Sequence, residues 1–175
     1  MQDAFHRLGL PRRFVLDAGE LERAYLVRSR AVHPDYHLAG SAGDLNASLE
    51  LSAAINEAYN TLRDPFTRAE HLLALEGGPS ASEHKQMPAE FLAEMLEARE
   101  QIEEARTGCP DDAAVLGDEF SARFDGLMHE VSELFGKLEQ IPPNDSQRAN
   151  LRLQIRGLLN AAKYVRGLLR DLHTD

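Results

Sequence analysis

Apolar residues recur at helical spacing along the whole chain and almost no window alternates with period two, so the sequence predicts an all-α protein. Proline and glycine mark the breaks. Pro34 cannot continue a helix and turns the residue before it away from helical angles. A helix predicted over 20–32 therefore ends at His33, and a second is predicted over 46–63. Gly40-Ser41-Ala42-Gly43 lies in the connection, and Asp44 or Asn46 is placed to cap the second helix. Ile55, Ala58, Tyr59 and Leu62 form an i, i+3, i+4, i+7 stripe expected to face Leu21, Ala24, Tyr25 and Val32. The pair is then an antiparallel hairpin with His33-Pro34-Asp35 in an exposed loop.

Residues 76–88 contain Gly77-Gly78-Pro79-Ser80 and read as a linker between a first domain, 1–75, and a second, 89–175. Three helical patterns follow it. Residues 89–106 carry the stripe Phe91, Met95, Ala98, Ile102 and Ala105. Residues 112–140 carry Phe120, Phe124, Leu127, Val131, Leu134 and Leu138, and Pro142-Pro143 ends them. Residues 146–172 carry Leu151, Ile155, Leu158, Ala162, Val165, Leu169 and Leu172. Three amphipathic helices joined by short turns predict an antiparallel three-helix bundle. Glu90, Glu94, Glu97, Glu100, Glu103 and Glu104 load its first helix, and Arg148, Arg152, Arg156, Lys163, Arg166 and Arg170 its last. Most of these read as complementary solvated faces, each exposed contact contributing about 0–1 kcal/mol.

At 175 residues and 43% apolar content, the chain can build two small cores. A formal net charge of −10 argues against nucleic acid as the main partner, because phosphate binding is dominated by Lys and Arg. No run of about 18 apolar residues is present. Met1-Gln2-Asp3 lacks the basic and apolar regions of a secretory signal, so a soluble cytoplasmic protein is expected, with no membrane partner. Cys109 is the only cysteine, which rules out an internal disulfide or a four-thiolate cluster site within this chain. His33 and His37 are four apart, but Pro34 breaks the helical geometry that would stack them, so neither metal nor cofactor is expected. An enzyme would have to use His33 with Asp35, or Cys109. The first two lack an evident pocket and Cys109 has no histidine nearby in sequence, so binding is favoured over catalysis.

Taken alone, His33-Pro34-Asp35 is equally a helix end capped by His33, stopped by Pro34 and followed by a turn residue. Its flanks add to it. Phe5-His6-Arg7-Leu8-Gly9-Leu10-Pro11 resembles the first helix of a J-domain. Leu21-Glu22-Arg23-Ala24-Tyr25 with Ala31-Val32-His33-Pro34-Asp35 resembles its second helix and signature loop, and Ile55-Asn56-Glu57-Ala58-Tyr59-Asn60-Thr61-Leu62-Arg63-Asp64-Pro65 its third. Arg68-Ala69-Glu70-His71-Leu72-Leu73 and the stretch from Pro88-Ala89-Glu90-Phe91 to Glu100 resemble the HscB family, the J-type co-chaperones of iron–sulfur cluster assembly.

That resemblance implies a J-domain that stimulates the ATPase of a DnaK-type chaperone, HscA, and a bundle that holds the scaffold protein IscU. The chain itself would catalyse nothing. His33, Pro34 and Asp35 are implied as the chaperone-contacting loop, with Arg23, Arg28 and Arg30 as the remaining basic face. Leu92, Ala93, Leu96, Glu97, Glu100, Glu104 and Tyr164 are implied as the scaffold-binding face. Leu92, Leu96, Glu100 and Glu104 independently form an i+4 ladder off the core stripe, apolar at one end and acidic at the other. Isolated exposed leucines are nevertheless common and need no partner. Tyr36 stands where J-domains usually have Lys, Glu22, Leu26 and Val27 stand where many are basic, and Ala93 is smaller than the usual apolar residue. The thinned basic face fits a dedicated chaperone. The absence of the cysteine-rich extension of some eukaryotic relatives points to a bacterial type, and no Gly/Phe-rich stretch supports a generalist J-protein.

Overall fold

The structure, a computed structural model, describes residues 3–32, 42–85, 87–107 and 110–172. Among them run helices α1 (Ala4–Leu8), α2 (Ala18–Ala31), α3 (Ala42–Arg63), α4 (Pro65–Leu75), α5 (Ala89–Thr107), α6 (Pro110–Gln140) and α7 (Gln147–Leu172). No strand occurs among the described residues, and the fold is all-α. The chain divides into two compact units, Met1–Leu72 and Leu73–Asp175.

In the first unit, short polar residues start the helices where the sequence needs them. Asp3 caps α1 by accepting the His6 N–H at 3.0 Å, and Asp17 caps α2 by accepting that of Glu20 at 2.7 Å. Gly9, at φ 73°, closes α1 in the left-handed region that favours glycine. Phe5, Leu8, Leu21, Ile55, Ala58 and Leu62 are buried. Tyr25 and Tyr59 stack at 4.3 Å on the α2–α3 seam. The Val32 carbonyl, left over at the end of α2, accepts the hydroxyls of Ser48 and Ser52 of α3. Asp64 then caps α4, with Pro65 in the first helical position.

One expectation fails here. α3 opens at Ala42, so Asp44 and Asn46 lie inside the helix rather than at its cap. A single glycine, Gly43, in the opening turn costs only about 1 kcal/mol, little against a helix of 22 residues. Gly40 and Ser41 lie outside the described residues, as do His33, Pro34, Asp35, Tyr36, His37 and Cys109.

In the second unit, α5, α6 and α7 form the three-helix bundle. Met95, Ala98, Ile102, Phe120, Val165 and Leu168 make a buried cluster. Val131, Phe135, Leu138, Ile155 and Leu159 continue the core along α6 and α7. At about 1.5 Å per residue, α6 with 31 residues outruns α5 with 19 by roughly 18 Å. Part of the segment 76–88 runs beside α7 instead. Gly77, at φ 72°, and Gly78 end α4, and a Cβ on Gly78 would lie 2.3 Å from a Leu73 methyl, so any side chain there would force the buried Leu73 to shift. The Glu76 carboxylate meets Arg148, the Glu76 carbonyl accepts from Arg152, and the His84 carbonyl accepts the Asn160 side chain at 2.7 Å. These bonds place the stretch expected as a linker within the second unit.

They also take Arg148 and Arg156 out of the solvated basic face expected for most of the α7 cations. Arg156 is only 1% exposed and the Arg148 side chain 12%. Ile155, Arg156, Leu159, Asn160, Ala161 and Ala162 are all buried, because α7 has neighbours on more than one side.

His71 of α4 is placed to make the first unit sensitive to pH. Its Nε2 accepts the Ala4 backbone N–H at 3.2 Å, and its ring stacks on Phe5 at 5.9 Å. Only an unprotonated Nε2 can accept. Burial lowers its pKa first, the Asp3 carboxylate raises it and Arg12 lowers it, leaving it below the ordinary value. For Asp3, burial acts upward, but the His6 N–H and the bound Arg12 guanidinium outweigh it and hold the carboxyl low. A depressed histidine pKa contributes stability that is fully present above about 6.5 and is lost as pH falls through the folded value. Amide exchange in the first unit, corrected for its intrinsic pH dependence, should therefore accelerate relative to α6 between pH 7 and 5. His71→Gln, whose side-chain oxygen accepts without titrating, should remove most of that trend. A parent protein with no such trend would contradict the assigned role.

Candidate partner-binding surface

Each helical residue turns about 100° from the last, so the buried side of α5 fixes where its other side chains stand. Met95, Ala98, Ile102 and Ala105 are buried. Leu92 and Leu96 lie about 90–130° round from that line. They are 40% and 64% exposed. On the opposite flank Glu94 pairs with Arg123 of α6, whose guanidinium also lies 5.4 Å from the Phe91 ring. The Leu92 and Leu96 flank is turned toward α7, which supplies Tyr164, 45% exposed. The Tyr164 ring meets Phe91 edge-on, with centroids 6.1 Å apart.

Ala93, Glu97, Glu100 and Glu104 are exposed on the same helix. An i+4 step advances the side chain about 40°, so the ladder drifts away from α7 as it ascends. The helix geometry thus gathers Leu92, Leu96 and Tyr164 on one flank and sets the carboxylates on the outer side. Sequence reasoning put Phe91 on the core stripe, and it does pack against the core cluster. It is half-buried and forms the base on which Tyr164 rests, which its place at the first turn of the helix could have suggested.

The three arginines of α2 do not share a face. Arg23 and Arg30, seven residues apart, point outward with Val27, itself 67% exposed. The Arg23 guanidinium is 3.8 Å from the capping Asp17. Arg28 reaches back over the end of α1, where a Cβ on Gly9 would lie 2.9 Å from its Nη2. Among the described residues no cluster of His, Cys, Asp and Glu could hold a metal ion, and no helix is long and apolar enough to cross a membrane.

A short helix with a helical hairpin, followed by a bundle that leaves apolar side chains exposed, makes a two-part all-helical protein. A family model described as the HSCB C-terminal oligomerisation domain matches residues 87–172. The co-chaperone protein HscB homolog of Chromobacterium violaceum is 43% identical over 106 residues, covering 60% of this chain and 61% of that protein. The homolog of Bordetella petrii is 39% identical over 117 residues, covering 66% of each. These matches therefore span a little under two thirds of the relatives' own length. The solved chaperone HscB from Vibrio cholerae has the same fold, with a TM-score of 0.80 at 24% identity over 97% of this chain and 94% of that one. The human co-chaperone protein HscB gives 0.83 at 24% identity over 98% and 81%. Residues 87–172 carry the match to that family model, and the chain is similar to HscB co-chaperones over the lengths given.

Exposure separates the patch from the core in a measurable way. Leu96→Ala should change stability to urea by less than about 0.5 kcal/mol, whereas Leu159→Ala, at a position 0% exposed, should cost about 2–5 kcal/mol. A large loss from Leu96→Ala would show that the side chain is structural.

Proposed function

We propose that this protein is a cytoplasmic co-chaperone with no catalysis of its own, which stimulates the ATPase of the DnaK-type chaperone HscA and delivers the iron–sulfur scaffold IscU to it. Leu92, Leu96 and Tyr164, apolar and exposed on a bundle that carries the family match, are the observation that supports this reading most directly. On it, Leu92, Leu96 and Tyr164 form the apolar centre of the scaffold contact, while Ala93, Glu97, Glu100 and Glu104 form its polar side. His33, Pro34 and Asp35 engage the chaperone, aided by outward Arg23 and Arg30, with Arg28 nearer the domain's own surface.

Two assays test the two halves separately. His33→Gln and Asp35→Asn should each abolish stimulation of HscA ATPase while leaving IscU binding intact. Truncating a buried interface anchor commonly costs about 2 kcal/mol, so Leu92→Ala, Leu96→Ala or Tyr164→Ala should each weaken IscU binding roughly 30-fold in calorimetry. Their ATPase stimulation without IscU should persist, and only the added stimulation from IscU should fall. Stimulation that survives both loop variants would refute the chaperone half. Parent-like IscU affinity in the triple Ala variant would refute the scaffold half.

A further inference from the structure

Beside Tyr164 the second unit has a pocket of about 370 Å³ between α5, α7 and the segment before α5. Its walls carry Lys85, Arg99, Lys163 and Arg170 against one carboxylate, Asp171, in a chain whose formal net charge is −10. Arg170 lies 3.5 Å from that carboxylate. Among the described residues no ion pair engages Lys85, Arg99 or Lys163, although α5 is crowded with glutamates. The bond from the buried Asn160 side chain to the His84 carbonyl holds the backbone next to Lys85 in place. At Gly167 an added Cβ would meet nothing within 4 Å, so side-chain-free backbone leaves this part of the wall open.

We propose that this pocket receives an acidic side chain of the protein that docks on Leu92, Leu96 and Tyr164. The inference rests on the scaffold-binding reading above and adds to it a second, electrostatic contact. Lys85, Arg99 and Lys163 are all exposed, standing at the rim rather than in an enclosed cradle, which suits a carboxylate arriving on a protein surface more than a small free anion. Tyr164 belongs to both the pocket wall and the apolar patch, so a partner covering the patch meets the edge of the pocket there. Such contacts act chiefly by steering and orienting the partner, and they weaken with salt.

Calorimetry and stopped-flow binding with IscU test this in the full chain, comparing the parent with Arg99→Glu/Lys163→Glu, Gly167→Glu and Leu96→Ala, each checked for helicity. The double reversal should weaken binding about tenfold or more near physiological salt, mainly through a slower association rate, and should flatten the salt dependence. Gly167→Glu, which places a carboxylate of the chain itself at the pocket wall, should weaken binding in the same salt-sensitive way. Loss of affinity in Leu96→Ala with parent-like binding by both pocket variants would overturn the pocket and leave the docking face standing. Parent-like binding by all three would overturn the docking face together with it.

Discussion

The Arg148 guanidinium joins three parts of the bundle unit that would otherwise end loosely. Nη1 donates to the Leu138 carbonyl at 2.6 Å and to the Ile141 carbonyl at 2.7 Å, groups left over where α6 ends before Pro142-Pro143. Nη2 meets the Glu76 carboxylate, and Arg152, one turn further along α7, donates to the Glu76 carbonyl at 2.5 Å. The start of the 76–88 segment is thereby registered against α7. The Asn160 bond to His84 registers it again further on, and α5 begins five residues after His84 with its position along α7 already set. A mostly buried charge of this kind costs most when one partner is removed, because the other is left without compensation. Its structural consequence reaches Tyr164, since the ring contact with Phe91 depends on where α5 starts.

That registration also accounts for what stays exposed. α7 is enclosed over the stretch 155–162, where α6 and the 76–88 segment adjoin it, and apolar and polar side chains alike are buried there. Beyond Ala162 the pattern opens. Val165 and Leu168 remain buried, whereas Lys163, Tyr164 and Arg166 are exposed. Tyr164 therefore stands at the margin of the seam with α5, its ring edge-on to Phe91, and cannot retreat into a core already filled by Val165 and Met95. An aromatic ring in that position offers a rigid apolar surface at little further cost in conformational entropy.

Period and punctuation explain why so much was readable from the residues alone. The stripes of α5, α6 and α7 repeat for many turns, so Met95, Ile102, Phe120, Val131, Ile155 and Val165 could be assigned to a core without knowing what they touch. The same reasoning failed wherever a side chain's fate depended on a distant element. Arg156 sits on a helix whose later cations, Lys163, Arg166 and Arg170, are exposed, and only the crowding of α7 buries it. Arg28 looks equivalent to Arg23 and Arg30 in sequence, yet its guanidinium reaches over the end of α1 while the residue stays exposed. Segment 76–88 has the glycine and proline content of a spacer, and its attachment depends on Arg148, Arg152 and Asn160, residues roughly 70 positions away. At the candidate site the ladder on α5 was visible from its spacing, but its approach to Tyr164 is a fact of helix packing, and the cations around the pocket come from three separate stretches of chain.

The small size of the apolar patch bears on the proposed role. Leu92, Leu96 and Tyr164 are 40%, 64% and 45% exposed, so each offers a partner only part of its side chain. Three anchors can bind a partner specifically, yet much of what they supply is offset by the cost of bringing two molecules together. A protein that must hand its partner on gains from that balance, because a contact too extensive would make release slow. Charge can then supply selectivity without adding much to the grip: outward glutamates of α5 on one side of the patch and the cations around the pocket on the other favour a partner surface with the opposite arrangement. Such a bipolar surface also disfavours docking in the reverse orientation, since that would set like charges against each other on both sides of the patch.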